Sequence, residues 1–237
     1  IKFGSSNKSQ EFKSDKKSTM KKKLLSLFSG CGGMDIGFEG DFFLPKELIN
    51  KQIHQEWIVA ENNDEVQLEE TMFETVFAND INQYAQIAWN HFFRAKRKKE
   101  INGTFRLGSI VDIVKQYKEG KVQVFPDNID IVTGGFPCQD FSIAGRRKGF
   151  DSHKDHNGKL IETAVPTEET RGKLYMWMRE VIAITQPKIF IAENVKGLSN
   201  LGAAKEIIQN DFASIDGGGY LVLNPKVLHA ANFGVPQ

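Results

Sequence analysis

Two cysteines, Cys31 and Cys138, are all that the 237-residue chain contains, and neither belongs to a CxxC pair. They cannot build a disulfide ladder or a thiolate zinc site, so no metal is expected and a reducing, cytoplasmic setting is the simplest reading. No apolar run approaches the ~20 residues of a membrane span, and nothing near the start resembles a signal sequence, so no membrane partner is expected. Charge of one sign is also lacking: the net charge is +1, which creates no global attraction for a polyanion. Two local basic clusters remain, Lys21 to Lys23 and Arg94 with Lys96 to Lys99, and both read as solvated faces rather than nucleic-acid contacts. What is present, 40% hydrophobic and 26% charged residues, suffices for one globular core with appendages.

Residues 1–19 are rich in Ser and Lys without periodicity and read as a disordered or added tail, with Met20 as a natural start and residues 20–237 as the folded domain. From Lys23 onward short apolar runs alternate with helical patterns. Leu24 to Phe28 reads as a buried strand running into the turn SGCGG and a helix from MDIGFEG. Thr75 to Ala78 is a second strand, followed by a helix with Tyr84, Ile87, Ala88 and Phe92 on one face. Ile129 to Val132, a helix over Leu174 to Ile184, and Ile189 to Ala192 continue the alternation. Repeated strand and helix units predict a mostly parallel sheet with helices on both faces, whose ligands bind beyond the carboxyl ends of the strands. The polar stretch from about Asp41 to Glu74 interrupts this pattern and reads as a surface insertion with a helix and a strand.

Chemistry-bearing residues fall at the strand ends. Phe28, Ser29, Gly30, Cys31, Gly32 and Gly33 form a turn that lets backbone approach a ligand and leads into a helix amino end. A dinucleotide fingerprint counted from Gly30 would need glycine at position 35, where Asp35 stands, which argues against a nicotinamide or flavin enzyme. Asp80, at the end of its strand, can accept from both ribose hydroxyls of a nucleoside, with Ile81 covering the base; capping the following helix is the alternative. The run IDIV leads into Thr133, Gly134, Gly135, Phe136, Pro137, Cys138, Gln139, Asp140, Phe141 and Ser142, and IFIA leads into Glu193, Asn194 and Val195. A thiol next to a stiffening proline is a nucleophile in waiting, since the thiolate rather than the thiol attacks. Cys31 takes the ordinary reading of a structural, buried cysteine.

The Pro137-Cys138-Gln139 segment with Ser142, Gly145 and Gly149, followed by Glu193-Asn194-Val195, resembles the DNA cytosine-5 methyltransferase family from about Leu24 to Gln237. The resemblance implies a Rossmann-like S-adenosylmethionine-dependent α/β fold, with S-adenosyl-L-homocysteine as product and double-stranded DNA as partner, most often in a bacterial restriction-modification system. Cys138 is then the nucleophile, Glu193 the group that protonates or hydrogen-bonds N3 of a flipped cytosine, and Pro137 and Asn194 hold the nucleophile's loop. Cofactor contacts fall by family position to Phe28, Ser29, Gly30, Gly32, Gly33, Met34, Asp80, Ile81, Ser109, Ile110 and Leu174, and DNA contacts to Gln139, Ser142, Arg146, Arg147 and Lys148. A mobile loop over 145–171 would close on DNA, its arginines on phosphates.

Three departures from the family pattern shape the expectation. Ser109 occupies a place where many members carry an aspartate for the adenine amino group, and extra polar residues precede Arg171. HAANFGVPQ opens a block that would continue with alternating arginines, but the sequence stops at Gln237. The final helix and the target-recognition region are then also missing, so this polypeptide alone is expected to have little or no activity without a missing segment or second subunit. A tRNA cytosine-5 methyltransferase and a catalytically idle nucleotide- or DNA-binding module are the alternatives.

Overall fold

A computed structural model describes residues 20–98, 100–137, 174–196, 198, 204–217 and 219–233. The amino-terminal tail and the loop over 145–171 lie outside the described residues. Five strands form the main sheet: β1 (Lys22–Leu27), β5 (Phe73–Asp80), β6 (Phe105–Leu107), β7 (Ile131–Gly135) and β8 (Ile189–Glu193). Their spatial order is β6-β5-β1-β7-β8, and every pairing is parallel. Counted among these five alone the order is 3-2-1-4-5, so the chain winds outward on one side of β1 and then crosses to the other. Such a reversal opens a crevice beyond the carboxyl ends of the two strands that flank it, because the connections leave in opposite directions. The result is a Rossmann-like α/β fold.

Side chains of a strand alternate between faces, and here the two faces carry separate cores. Leu25 and Leu27 of β1, with Phe77 of β5 and Val132 of β7, point to one side. There they meet α4 (Ile110–Lys118), α5 (Tyr175–Thr185) and α6 (Ala204–Ala213) through Ile110, Val114, Met178, Ile182, Ile208 and Phe212. Ala78 of β5 faces the other side, against Trp89 and Phe93 of α3 (Gln83–Arg97) and Ile36 of α1 (Gly33–Glu39). Helices therefore cover both faces, as the alternation of runs predicts.

The buried stripe of α3 differs from the expected one. Ala85, Trp89 and Phe93 are buried, whereas Tyr84 is 80% exposed and Ile87 57% exposed. Position 88 is exposed and Phe92 half-buried. A rotation of one residue, about 100° around the helix, separates the two stripes. The larger ring of Trp89, stacked on Phe93 at 4.2 Å, wins the interior.

The basic cluster at the end of α3 is another correction, because two of its members are not solvated. The side chains of Lys96 and Arg97 are each 8% exposed and pair with Glu39, itself 3% exposed. Glu39 also accepts from the Thr75 amide at 2.9 Å, and Arg97 Nη2 donates to the Thr75 carbonyl at 2.9 Å. The pair locks the end of α1 and the end of α3 to β5. At the same, amino-terminal end of the sheet Lys22 and Lys188 flank Asp130, and Lys21 pairs with Glu70. Hydrogen bonding by Lys188 is the main cause holding the Asp130 carboxyl below its ordinary range.

The insertion holds the expected helix, but with a small three-stranded sheet in place of one strand. Strands β2 (Phe43–Pro45), β3 (Ile58–Glu61) and β4 (Glu65–Leu68) pair antiparallel in the order β2-β4-β3, with the short helix α2 (Lys51–His54) between β2 and β3. His54 stacks on Trp57 at 3.7 Å and its Nε2 donates to the Phe233 carbonyl at 2.6 Å, tying the insertion to the far end of the sequence.

Removing the carboxylate in Glu39→Ala takes the near partner from two buried cations, leaving Arg97 only Glu74 at 3.9 Å, and is expected to cost about 3–5 kcal/mol. Lys22→Ala breaks only a 3.9 Å exposed pair and should cost less than about 1 kcal/mol. Urea unfolding of both variants tests this, and similar small losses in the two would show that Glu39 does not hold the helices.

Candidate active site

The segments that leave the carboxyl ends of β1, β5, β7 and β8 build the crevice. β1 ends at Leu27, and Phe28 takes a left-handed conformation, φ +53°, which costs a bulky side chain about 1–3 kcal/mol. The chain then turns through Ser29 and Gly30, and Gly32 caps α1 at φ +92°. Gly32 is the one position here where both conformation and space demand glycine. A Cβ there would lie 2.6 Å from Trp89 Cδ1 and 2.9 Å from Phe93 Cε2. A Cβ on Gly30 or Gly33 would meet nothing within 4 Å, so the crevice side of the turn is open.

Polar side chains at the strand ends hold this turn. Ser29 Oγ donates to the Ser26 carbonyl at 3.0 Å and accepts from the Asn79 amide at 3.1 Å. The Asn79 side chain reaches the other way, donating to the carbonyls of Arg106 at 2.8 Å and Gly108 at 3.0 Å. Three consecutive strand ends are thus tied by one serine and one asparagine. Asp80 Oδ2 accepts from the Gly30 amide at 3.0 Å, while Oδ1 accepts from the Asn82 amide at 2.9 Å. The cap of α3 is Asn82, which accepts from the Tyr84 amide, so the alternative role of Asp80 as that cap is corrected. Each Asp80 oxygen retains a lone pair for a further donor.

The other expected cofactor residues occupy varied settings. Met34 is half-buried in α1, and Ile81 is 45% exposed beside Asp80. Ser109 is buried and caps α4 by accepting from the Val111 amide at 3.3 Å. Ile110 and Leu174 are buried, Ile110 within the larger core. Cys31 is exposed at the tip of the turn, which corrects its reading as a buried structural cysteine. The turn faces outward there, so a side chain at this position has no core to enter.

On the far side of β1, β7 and β8 run parallel with Gly135 paired to Glu193. A Cβ on Gly135 would stand 3.0 Å from Glu193 Oε2, so the carboxylate lies close over the strand end that leads to Pro137. Asn194 Nδ2 donates to the Phe136 carbonyl at 3.1 Å and thereby holds the chain where it leaves β7. Phe136 is buried and Pro137 half-buried. Cys138, Gln139, Ser142, Arg146, Arg147 and Lys148 lie outside the described residues. Among the described residues no group of His, Cys, Asp or Glu could hold a metal ion, and no helix is long and apolar enough to cross a membrane.

Three residues without a role in the sequence motifs shape the site: Asn79, Asp35 and Trp89. Asn79, like Ser26, is signalled in the sequence only as a polar residue inside an otherwise apolar run. Asp35 is fully buried and accepts from Trp89 Nε1 at 2.7 Å. Burial pushes its carboxyl up from 3.8 to about 6, the Ser26 and Trp89 hydrogen bonds offsetting part of the effect, Glu39 adding to it and Arg97 opposing it.

A doubly wound sheet with a glycine turn after its first strand, an acidic residue after its second and Glu193 close over the strand end that leads to Pro137 defines a Rossmann-like domain of the methyltransferase kind. The chain belongs to the C-5 cytosine-specific DNA methylase family, whose model matches residues 62–237. It is 32% identical over 222 residues to the type II methyltransferase M.BsuRI of Bacillus subtilis, covering 92% of this chain and 42% of that protein. M.NgoFVII of Neisseria gonorrhoeae is likewise 32% identical, over 93% of this chain and 42% of its own length. M.HpaII of Haemophilus parainfluenzae is 40% identical over 47% of this chain and 26% of its own length. The chain thus spans less than half the length of these three relatives.

Two expectations arise from the geometry. Gly32→Ala, strained in conformation and crowded against Trp89, should lose about 2–4 kcal/mol of stability, read as a thermal midpoint lowered by several degrees; an unchanged midpoint would contradict the packing. Asp35 has the opposite signature to a stabilising carboxylate. Between pH 3.8 and about 6 its folded form keeps a proton that the unfolded chain has lost. Stability therefore falls as pH rises through that window, by about 3 kcal/mol in all. Asp35→Asn keeps an acceptor for Trp89 and should abolish this component, so the stability difference between variant and wild type grows from pH 4 to pH 6.5. A constant difference across that range would refute the assignment.

Proposed function

We infer that the complete protein transfers a methyl group from S-adenosylmethionine to C5 of a cytosine turned out of double-stranded DNA. The observation that carries this reading is the parallel pairing of β7 with β8. It delivers Glu193 and the chain leading to Cys138 to one end of the sheet, beside the crevice bounded by the glycine turn and Asp80. The names of the relatives agree with it, each being a type II methyltransferase, and they favour a restriction-modification setting.

The residues fit the cofactor on three counts. The open faces of Gly30 and Gly33 admit close approach of a ligand, and the spare lone pairs of Asp80 suit ribose hydroxyls. Ile81, exposed next to Asp80, gives an apolar surface for a base. When bound, S-adenosylmethionine supplies an electrophilic methyl group.

Cytosine in a duplex hides C5 and C6 within the stack, so the nucleotide must leave the helix at a cost of a few kcal/mol. The Cys138 thiolate then forms a bond to C6, the C5–C6 double-bond electrons shift through C4 toward N3, and the proton that Glu193 gives to N3 neutralises the charge arriving there. C5, now an enamine carbon, becomes nucleophilic and accepts the methyl group. Loss of the C5 proton to a base restores the 5,6 double bond and expels the Cys138 sulfur. Pro137 restricts the approach of the sulfur, and the Asn194 bond to the Phe136 carbonyl holds the strand exit that precedes Pro137 in the chain. Arg146, Arg147 and Lys148 serve as phosphate contacts, with Gln139 and Ser142 nearer the base.

In the complete protein, Cys138→Ser should abolish transfer of labelled methyl to DNA while leaving cofactor affinity intact, and Glu193→Gln should lower the single-turnover rate by about 10²–10⁴-fold. Full activity in Cys138→Ser would exclude this mechanism. Transfer to tRNA in preference to DNA would redirect the substrate.

A further inference from the structure

Asp35 and Trp89 do not belong to the motifs that carry the reaction, yet they stand directly beneath the turn that the proposed cofactor would touch. Trp89 is fully buried and constrained on every side. It stacks on Phe93 at 4.2 Å and meets Phe105 at 5.7 Å, and Arg97 lies 5.8 Å from its ring. Its upper edge supports Gly32 so closely that no Cβ fits between them. The direction in which Nε1 points is set by a single hydrogen bond, to Asp35 Oδ2 at 2.7 Å. Asp35 sits one turn into α1, three residues beyond Gly32.

The consequence is geometric. Asp80 precedes α3 and Gly30 precedes α1, and the Gly30 amide donates to Asp80 above the sheet end. Trp89 belongs to α3 and Asp35 to α1, and their bond joins the same two helices below it. The spacing between the glycine turn and the Asp80 carboxylate is therefore set by two links, one at the surface and one buried.

We propose that Asp35 and Trp89 are positioning residues for the cofactor, the indole acting as the floor of the glycine turn and Asp35 fixing the orientation of that floor. Neither touches the ligand. Their work is to hold the backbone at Gly30 to Gly33 at the correct separation from Asp80, so that both ends of one nucleoside ligand are met together. Charged groups packed around the pair are Glu39 on α1, Glu74 on β5 and Lys96 and Arg97 on α3, two of each sign paired with one another, which leaves Asp35 to the indole. The inference rests on the cofactor site proposed above.

The test is calorimetric binding of S-adenosylhomocysteine to the complete protein and to three variants, with steady-state kinetics in parallel. Asp35→Leu and Trp89→Phe should each weaken binding by about tenfold or more, raising the KM for the methyl donor while the rate at saturating donor stays near wild type. Asp35→Asn, which keeps the acceptor, should bind within about threefold of wild type. Ile208→Ala, a cavity in the opposite core, serves as the control for lost stability and should leave affinity unchanged. The double variant Asp35→Leu, Trp89→Phe should be no worse than the weaker single one. Equal binding by Asp35→Leu and wild type, or equal weakening by Ile208→Ala, would overturn the proposal. Failure of the wild-type protein itself to bind would instead overturn the cofactor reading and this inference with it.

Discussion

The reversal of strand order at β1 is the constraint on which the rest of the structure depends. With β5 on one side and β7 on the other, β1 is hydrogen-bonded along both edges, and its Leu25 and Leu27 anchor the larger core. Its polar Ser26 is buried at the same level and gives Ser29 a partner at the strand end. Connections on either side of β1 depart in opposite directions, so the space beyond its carboxyl end is left free of backbone. The described residues proposed for chemistry gather there. The glycine turn and Asp80 stand on one side, Glu193 and the approach to Cys138 on the other, and β1 itself sets the distance between them.

Rigidity around that crevice comes from buried polar contacts more than from helix length. α1 has only seven residues and its start is glycine-rich, which makes it a poor independent helix. It is held by Glu39 at one end, through Arg97, Lys96 and the Thr75 amide, and by Asp35 near the other. Such contacts stabilise little in net terms, since each charge loses its hydration on burial. Burial pushes the Asp35 carboxyl upward for the same reason. What they supply instead is a unique arrangement of α1 and α3, the two helices that approach the proposed cofactor most closely.

Much of this architecture is legible in the residues. Strand and helix runs alternate with a clear change of period, and the ends of those runs carry the glycine, acidic and Pro-led motifs, so the parallel sheet and its ligand-bearing edge can be read directly. The insertion cannot, because β2, β3 and β4 are three or four residues long with mixed side chains, exposed in β3 and partly buried in β4, and show no sustained alternation. The α3 stripe is ambiguous because Tyr84 and Ile87 are as apolar as the residues that are buried, and only tertiary packing decides which stripe turns inward. Arg97 and Lys96 read as solvated because a charge run normally is, and the partner that draws them inside, Glu39, is more than fifty residues away. Asp35 stands out in the sequence only for interrupting a glycine fingerprint. Its bond to Trp89 spans 54 residues and has no local signal.

The central claim is that the sulfur of Cys138 bonds transiently to a cytosine while a methyl donor is held across the crevice. The most direct measurement uses a DNA duplex whose target cytosine carries fluorine at C5, where the proton needed for release is missing. Intact-mass analysis of the complete protein incubated with this duplex and S-adenosylmethionine should give a stable adduct of protein, DNA and one added methyl group, with peptide mapping placing the link at Cys138. An adduct at the exposed Cys31, or efficient methyl transfer to ordinary DNA with no adduct from the fluorinated duplex, would contradict the account.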